Sequence, residues 1–520
     1  MSTTPPRITR RTFIATSAAG AAGALGMLAA CGDDARTARA DATATDDASS
    51  ADAPDTTSTD DATAATEGTT SADTGPGADS APEVPDATTD DTAADAPDAP
   101  GSRFDPDAYA EASVSLFPIG VSATDPTFGG AILATRYLGT AAIELVVWRP
   151  DPGRAGGLEA HRTTVVPADG GFIQEDVQDL APGAEHHFAF IADARRSPIG
   201  RFRTPPQADA RPVVVLGASS CAKWDFRPFD VLTRAAEDDL DLFLLLGDTT
   251  YADEATTLEE YRANWARNLG TAEYRALRTA TTCAATWDDH EVDNNWDPEG
   301  ADSARVTAAR QAFFEHMAVR RDPANPDRIW RSFRFGATVE VFLLDCRSER
   351  RPSTRTTPQA EYISEAQLAW LDAGLHASPA TFKLVLSSVP ITRWPPLYLA
   401  ANERWEGYAA QRARVLGLAA DVKGLLWVAG DFHFGAVTTV DPPGEAHADQ
   451  HEILVGPVAH LNPAMAIVQL TGSPEQFPFL TGERNYGRFT LDPTSSPPRI
   501  TVDHIGMSGQ TLGSYVLEVT

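Results

Sequence analysis

The residues of this 520-residue chain that could do chemistry are concentrated between positions 286 and 296. This stretch holds four carboxylates, one histidine and two asparagines, and it follows an apolar run. Carboxylates crowd together in this way when a cation neutralises their mutual repulsion, and oxygen atoms are the ligands that hard cations prefer. Two shorter polar runs, at 247–251 (Gly-Asp-Thr-Thr-Tyr) and 430–433 (Gly-Asp-Phe-His), also end apolar segments. The sequence therefore predicts a metal cluster.

Short apolar runs position these residues, and they predict the buried strands of an α/β sheet that is covered on both faces. The predicted strands cover residues 213–217, 242–246, 282–287, 339–344, 383–388 and 425–429, and predicted helices cover 228–238, 303–319 and 364–377. Five of the strands are each followed by a polar residue: Cys221, Asp248, Asp289, Asp345 and Asp431. Because ligands gather beyond the carboxyl ends of strands in such sheets, we expect these residues to share one edge.

The segment before this α/β region has a different pattern of apolar and polar residues. Residues 112–206 show short alternating or apolar runs between Gly and Pro clusters, which predict a small all-β sandwich of the immunoglobulin or fibronectin type. Residues 210–520 then form the predicted α/β domain. The histidines of the sandwich, His161, His186 and His187, stand near single acids only, so surface or core positions are favoured over metal ligation.

The first 31 residues predict an export signal. Arg10 and Arg11 form a twin-arginine pair, and the apolar stretch after them is too short to span a bilayer. The stretch ends at Cys31 in a sequence that resembles the lipobox of bacterial lipoproteins, with an incidental cysteine in an ordinary signal as the alternative. We expect export by the twin-arginine route and a lipid anchor on Cys31 at the periplasmic face of the cell envelope. Gly32 favours the outer membrane, since an aspartate there would resemble a retention signal for the inner membrane.

Residues 32–111 predict a disordered acidic tether. Between 32 and 100 the chain has 18 acidic and 2 basic residues, which give −16 of the total net charge of −31. Asp, Ala, Thr, Ser and Pro dominate there, and such a composition cannot bury enough apolar surface to offset the entropy of ordering. Neither the tether nor the rest of the chain has a basic stripe, which excludes nucleic acid as a stable partner. We expect a monomer whose only membrane contact is the lipid anchor.

Four cysteines are too few for a disulfide scaffold. Cys31 is assigned to the lipid and Cys221 to the predicted cluster. Cys283 and Cys346 lie in strand-like apolar runs, where buried thiols are favoured and a bridge between them stays open.

The polar motifs together resemble, in chain order, those of the PhoD-like alkaline phosphatases, a branch of the calcineurin-like metallophosphoesterases. The matching segments are 117–127, 219–221 (Ser-Ser-Cys), 247–251, 287–295 (Trp-Asp-Asp-His-Glu-Val-Asp-Asn-Asn), 344–347 (Leu-Asp-Cys-Arg), 405–408 (Trp-Glu-Gly-Tyr) and 430–433. The resemblance implies a four-layer α/β/β/α metallophosphoesterase domain, a phosphoester substrate and a cluster of Fe³⁺ and Ca²⁺, with other divalent metals open at the second site.

The resemblance also implies a set of metal ligands. It assigns Cys221, Asp248 and Tyr251 to the iron, with Asp248 bridging to the second metal, and His433 as a nitrogen ligand of the iron. A thiolate and a phenolate stabilise oxidised iron, whereas calcium prefers oxygen atoms. The oxygen ligands assigned to that harder ion are Asp289, Asn294 and Asp431. A tyrosine packed beside the site is the alternative for Tyr251.

Two further residues receive catalytic roles. His290 is expected to donate a proton to the leaving group or to contact phosphate, with a third imidazole ligand as the alternative. Arg347 is expected to clamp phosphate oxygens, with an ion pair to a site acid as the alternative. Trp405 and Tyr408 either wall the substrate entrance or pack in the core.

The expected function is that of an exported phosphoesterase that hydrolyses phosphodiesters, phosphomonoesters or both through attack by a metal-activated hydroxide. Diesters are weakly favoured. Two departures from the family bear on the substrate: Ala222 after the cysteine and Arg404 before Trp405. A third, Ser388 in a segment where related enzymes carry a histidine, leaves one metal-coordination position unassigned. The alternatives are a binding or structural surface lipoprotein with a degenerate phosphatase domain, both of which predict eroded ligands.

Overall fold

A computed structural model of the chain describes residues 8–14, 102–154, 156–393, 401–462, 465 and 475–519. The lipid site Cys31 and the tether as far as residue 101 lie outside the described residues, and of the twin-arginine segment only the backbone of 8–14 is described. The described residues from Ser102 onward belong to one compact unit. None of the described helices combines the length and the apolar composition that a membrane span requires.

Strands and helices are numbered here in chain order. The strands are β1 Ile8–Ile14, β2 Arg103–Phe104, β3 Ala110–Glu111, β4 Val121–Thr127, β5 Gly130–Arg136, β6 Ile143–Pro150, β7 Gly157–Val165, β8 Phe172–Val177, β9 Glu185–Ala192, β10 Arg195–Arg196, β11 Gly200–Arg203, β12 Val214–Ser219, β13 Leu242–Leu246, β14 Cys283–Thr286, β15 Arg331–Phe335, β16 Val339–Leu343, β17 Phe382–Ser387, β18 Leu425–Ala429, β19 Gly435–Thr439, β20 His451–Leu454, β21 Phe479–Thr481, β22 Asn485–Asp492, β23 Arg499–Gly506 and β24 Thr511–Val519. The helices are α1 Asp230–Glu237, α2 Leu258–Leu269, α3 Ala272–Ala280, α4 Ser303–Met317, α5 Glu365–Ala377 and α6 Ala409–Leu418.

Two large sheets carry the α/β region. The first has the strand order β1-β24-β23-β22-β12-β13-β14-β4-β5-β8, and β12, β13 and β14 run parallel at its centre. The second has the order β15-β16-β17-β18-β20-β19-β21, with β16, β17, β18 and β20 parallel. Burial of every residue of β13 and β18 explains their unbroken apolar sequences. Strand β17 is also buried throughout, although it includes Lys383 and Ser387.

The two sheets pack face to face through an apolar cluster that includes Leu244, Val341 and Leu384. A second cluster joins α1 to α4 to the outer face of the first sheet, and a third joins α5 and α6 to the outer face of the second. The order of layers is therefore helix, sheet, sheet, helix, which is the order that the family resemblance implied. Both sheets turn the carboxyl ends of their parallel strands toward the same group of loops.

A third sheet, of order β2-β7-β6-β9-β10-β3 with β11 beside β9, packs on β4, β5 and β8 through a core that includes Leu133, Leu145 and Phe188. Strand β4 also pairs in parallel with β14, where Thr124 is opposite Cys283. Three strands of the segment 112–206 therefore continue the first sheet. A separate immunoglobulin-like sandwich domain remains a prediction.

The predicted tether reaches too far into the folded region. Residues 103–104 and 110–111 form β2 and β3, and Phe104 is buried with its ring centroid 4.7 Å from that of Trp148. One large apolar side chain and two short strand pairings anchor the last residues before 112. The prediction missed them because it was based on the average composition of the preceding seventy residues. The residues from Ser102 to Glu111 belong to the fold.

The two cysteines of the apolar strands are free thiols. Cys283 and Cys346 are both buried, and they lie in different apolar clusters on opposite sides of the two-sheet core. The prediction of buried thiols is confirmed, and the alternative of a bridge is excluded.

Candidate metal centre

The predicted site residues lie on loops at the carboxyl ends of the parallel strands. Cys221 follows β12, Asp248 follows β13, and Asp289 follows β14 in the first sheet. Asp431 and His433 follow β18 in the second sheet. Strands from both sheets thus deliver polar side chains to one region, which is where open α/β sheets bind ligands.

Four of the assigned ligands have a left-handed backbone. Their φ angles are +61° for Cys221, +54° for Asp248, +62° for Asp431 and +55° for His433. Residues with a Cβ adopt this region rarely, at a cost of about 1 to 3 kcal/mol, and such strain clusters at functional sites. Gly247, which precedes Asp248, has φ +84°, and a Cβ there would lie 2.6 Å from Cβ of Asp288. Only glycine lets the two aspartate loops approach this closely.

A first group of donor atoms combines sulfur, oxygen and nitrogen. One ligand atom each from Cys221, Asp248 and His433 lies within 4.8 Å of the other two. The hydroxyl of Tyr251 is 3.2 Å from Oδ2 of Asp248 and 3.5 Å from Nε2 of His433. The phenol predicted to ligate iron therefore stands beside the other members of this group.

A second group shares one residue with the first. Ligand atoms of Asp248, Asp289 and His290 also lie within 4.8 Å of one another. Asp248 Oδ1 is buried and accepts no hydrogen bond from the described residues. A carboxylate buried in this way is costly unless a cation or a donor reaches it. Asp248 is the residue that the two groups share, and the bridging role that the family resemblance implied for it remains a prediction.

Burial and mutual repulsion oppose ionisation of the donors. Burial, reinforced by Asp248, raises the pKa of the Cys221 thiol and of the Tyr251 phenol well above their usual values. Burial and the neighbouring carboxylates Asp288 and Asp289 raise the pKa of Asp431 to about 7. Burial lowers the pKa of His433, with His460 and His290 adding to the effect, so its ring is neutral. Positive charge at the centre is what allows these donors to ionise together.

His290 is oriented by a carboxylate. Its Nδ1–H donates to Oδ1 of Asp253 at 2.7 Å, and its ring lies on that of Tyr251 with centroids 4.0 Å apart. Burial alone would lower the pKa of His290, but Asp289, Asp248 and Asp253 raise it to about 10. This arrangement is compatible with both roles left open by the sequence, since a carboxylate on one nitrogen orients ligating and proton-donating histidines alike.

Glu291 ties the two aspartate loops together. Its carboxylate accepts backbone N–H bonds from Asp248 at 3.0 Å, from Thr249 at 2.6 Å and from Asp288 at 2.9 Å. Its side chain is fully buried. The sequence placed Glu291 in the predicted cluster but assigned it no role. In the structure it positions the loops that carry Asp248 and Asp288.

Arg347 contacts the acids of the site. Its Nε donates to Asp288 Oδ1 at 2.6 Å, its Nη2 is 3.6 Å from Asp289 Oδ1, and its Nη1 donates to Glu403 Oε2 at 3.3 Å. The same Glu403 carboxylate accepts from Arg350 at 2.6 Å. The guanidinium is buried and forms ion pairs with these acids. This arrangement corresponds to the alternative that the sequence left open for Arg347, an ion pair in place of a phosphate clamp.

Comparisons with known proteins now bear on this geometry. Residues 215–476, about half of the chain, match the family model described as PhoD-like phosphatase. The chain belongs to the PhoD-like phosphatase family. It is similar to alkaline phosphatase D of Bacillus subtilis (strain 168), with 26% identity over 387 aligned residues. The match covers 61% of this chain and 64% of that relative.

Two solved structures share the fold. A structure of PhoD matches with a TM-score of 0.66 and 22% identity over 74% of this chain and 86% of that one. Purple acid phosphatase PPD1 from yellow lupin (Lupinus luteus) seeds matches with a TM-score of 0.55 and 14% identity over 76% of this chain and 73% of its own. The α/β fold is therefore shared with both of these structures.

Four further residues assigned from the PhoD-like motifs belong to neither donor group, and one of them is Asp431, whose assignment as a ligand remains a prediction. Trp405 and Tyr408 are fully buried in the cluster behind the second sheet, where both rings pack on Tyr362 with centroids 4.4 Å and 4.9 Å away. Packing is thus their role in this PhoD-like phosphatase. Asn294 is half-buried in the loop after β14, and its assignment as a ligand remains a prediction.

One residue of this PhoD-like centre has no counterpart in the sequence predictions. The ring of His460 stacks on that of His433 with centroids 3.7 Å apart and an angle of 22° between the planes. It stands on the segment after β20, beyond the family motifs quoted above. A lone histidine after an apolar strand offers no spacing signal, so only the structure reveals it.

Proposed function

We propose that this protein is a metal-dependent phosphoesterase whose two cations share Asp248. The observation that carries the proposal is the pair of donor groups that meet at this buried carboxylate. A pair of cations held there would activate a water molecule and offset the charge of the phosphoryl oxygens. Family membership and the name of the related alkaline phosphatase support hydrolysis of phosphate esters.

The donor chemistry supports Fe³⁺ in the first group and Ca²⁺ in the second. Thiolate and phenolate donors, from Cys221 and Tyr251, suit oxidised iron. The neutral ring of His433 would be the nitrogen ligand of the same metal. Asp289, Asn294 and Asp431 would offer the oxygen atoms that calcium prefers, and other divalent ions could replace calcium.

Two side chains, His290 and Arg347, would act on the substrate in addition to the metals. His290, held at Nδ1 by Asp253, would present Nε2 to the substrate and protonate the leaving oxygen. Arg347 holds Asp288 and Asp289 in place through its ion pairs, and an exchange of one carboxylate for a phosphoryl oxygen would turn it into the predicted clamp.

For substrate and location we carry forward the sequence interpretation. The proposed substrates are phosphodiesters and phosphomonoesters, with diesters favoured. The proposed location is the periplasmic face of the envelope, reached by twin-arginine export and kept by a lipid on Cys31. Replacing Cys31 by Ser should release active protein into the soluble fraction, and an unchanged membrane fraction would contradict the anchor.

The test compares Asp248→Asn with the wild-type protein. Activity on bis-p-nitrophenyl phosphate and p-nitrophenyl phosphate is measured with added calcium, together with bound metal by mass spectrometry. Loss of a bridging charge should remove both metals and reduce turnover on both esters to background. The matched control is Asp503→Asn, which removes a carboxylate on β23 that is paired with Arg488 on β22. This variant should keep its bound metals and its turnover on both esters.

Two outcomes would contradict the proposal. A wild-type protein that carries metals but hydrolyses neither ester would favour a binding or structural lipoprotein. An Asp248→Asn variant with full metal content would remove Asp248 from the bridging position.

A further inference from the structure

The aromatic neighbour of His433 stands out among the groups that the proposed reaction does not use. His460 is half-buried, and its ring stacks on that of His433, while the Phe226 ring contacts it at a tilt of 43° with centroids 5.1 Å apart. The Tyr251 ring is nearly parallel to it at 5.7 Å and 26°. Its ring face therefore meets two residues of the first donor group.

His460 does not approach the cluster as a ligand. It belongs to neither group of donor atoms, and its Nδ1 accepts the backbone N–H of Leu461 at 2.8 Å. Because one nitrogen is engaged by its own backbone, the contact with His433 is made by the face of the ring.

The backbone fixes where this ring lies. The segment 458–459 pairs with the loop that carries Cys221: Val458 donates to the Ser220 carbonyl at 2.8 Å, and Ala459 donates to the Cys221 carbonyl at 3.0 Å. Lys223 in turn donates to the Ala459 carbonyl at 3.0 Å. His460 is therefore held in register with Cys221, one residue beyond the pairing.

His433 lacks the support that a ligating histidine ordinarily has. Such a residue donates its second ring nitrogen to a carboxylate or a carbonyl, which fixes the plane of the ring. In the part of the chain that the structure describes, the ring of His433 has one contact of hydrogen-bond length, from Nε2 to the Tyr251 hydroxyl at 3.5 Å. Its backbone is also in the left-handed region, a strained conformation that persists only when the surrounding structure holds it.

We propose that His460 is a positioning residue that holds the imidazole of His433 in its metal-binding orientation by ring stacking. The inference rests on the proposed metal centre. Residues that orient a ligand typically change metal affinity by about 10- to 100-fold when removed.

The experiment uses the full chain, purified with the metals it acquires in the cell. His460→Ala removes the stack, His460→Phe keeps an aromatic face without nitrogen, and Leu461→Ala changes the exposed neighbour. The measurement is the EDTA concentration that removes half of the bound transition metal, with metals counted by mass spectrometry and folding checked by circular dichroism.

We expect His460→Ala to release its metal at an EDTA concentration about 10-fold lower or more. His460→Phe and Leu461→Ala should behave like the wild type. An alanine variant with wild-type retention would overturn the inference, and so would a phenylalanine variant as weak as alanine, because the nitrogens would then be required.

His433→Ala separates this inference from the proposed centre. If His433→Ala loses metal while His460→Ala does not, the centre stands and the stacking role fails. If His433→Ala keeps all of its metal, the assignment of His433 as a ligand fails, and with it the role proposed for His460.

Discussion

Replacement of Glu291 by Gln tests whether the aspartate loops are held by one buried carboxylate. Glu291 Oε2 accepts the N–H groups of Asp248 and Asp288, and Oε1 accepts that of Thr249. In the glutamine, one of these two positions carries an NH₂ group, which turns toward an N–H donor. At least one buried N–H then loses its acceptor, and the others lose an ionic partner.

The size of the effect follows from these contacts. A buried N–H without an acceptor costs about 1 to 3 kcal/mol, and a hydrogen bond to a charged group exceeds a neutral one by about 1 kcal/mol. The expected loss is therefore about 3 to 5 kcal/mol, with the loops that carry Asp248 and Asp289 displaced. Burial, although opposed by the backbone N–H groups, raises the pKa of Glu291 to about 7, so the comparison is made at pH 8.5, where the carboxylate is ionised.

The assay combines thermal unfolding with metal content, and Glu452→Gln is the matched control. Glu452 is also fully buried and accepts the backbone N–H groups of Ile391 at 3.0 Å and Thr392 at 2.8 Å, away from the cluster. Both variants should melt several degrees below the wild type, but only Glu291→Gln should lose metal. A Glu291→Gln protein with wild-type melting and full metal would refute the reasoning.

Two further predictions concern single side chains. If Tyr251 ligates oxidised iron, concentrated protein should absorb visible light, and Tyr251→Phe should lose that band and bind iron more weakly; a band that persists with full iron would place the tyrosine outside the cluster. Burial lowers the pKa of His504, whose Nε2–H donates to the Leu454 carbonyl, to about 4. The unfolded chain takes up this proton below about pH 6.5 and the folded chain does not, so stability is lost as pH falls from 6.5 toward 4. Between pH 7 and pH 5 the wild type should lose about 2 kcal/mol more than His504→Gln, and equal losses would show that His504 is protonated in the fold.

Much of the α/β region could be predicted from sequence because its strands are buried on both faces. The predicted strands 242–246 and 425–429 coincide with β13 and β18, and the predicted helix 364–377 differs from α5 by one residue. The strand predictions end at 429, however. They omit β22, β23 and β24, which alternate between buried and partly exposed residues and pair as a meander.

Pairings between distant segments could not be predicted. Strand β4 joins the first sheet by pairing with β14, where Thr124 is opposite Cys283, a residue far away in the sequence. A buried ion pair reinforces the junction, since Arg331 of β15 reaches Asp125 at 2.7 Å and 2.9 Å. Nothing in the local alternation of 121–127 distinguishes a strand of a separate sandwich from one that extends another sheet.

The site shows the same division between local chemistry and long-range support. Ligand types can be predicted from sequence because sulfur, phenolate and carboxylate donors at the ends of apolar strands have few structural uses together. The residues that position them, Glu291, Asp253 and His460, are ordinary side chains whose partners come from other loops. Four strained backbone positions among the ligands require such partners, because the strain of each is about 1 to 3 kcal/mol and must be offset by contacts outside the ligand set. The metal centre is therefore specified by two kinds of residue, and variants of the second kind should alter metal affinity without removing a single donor atom.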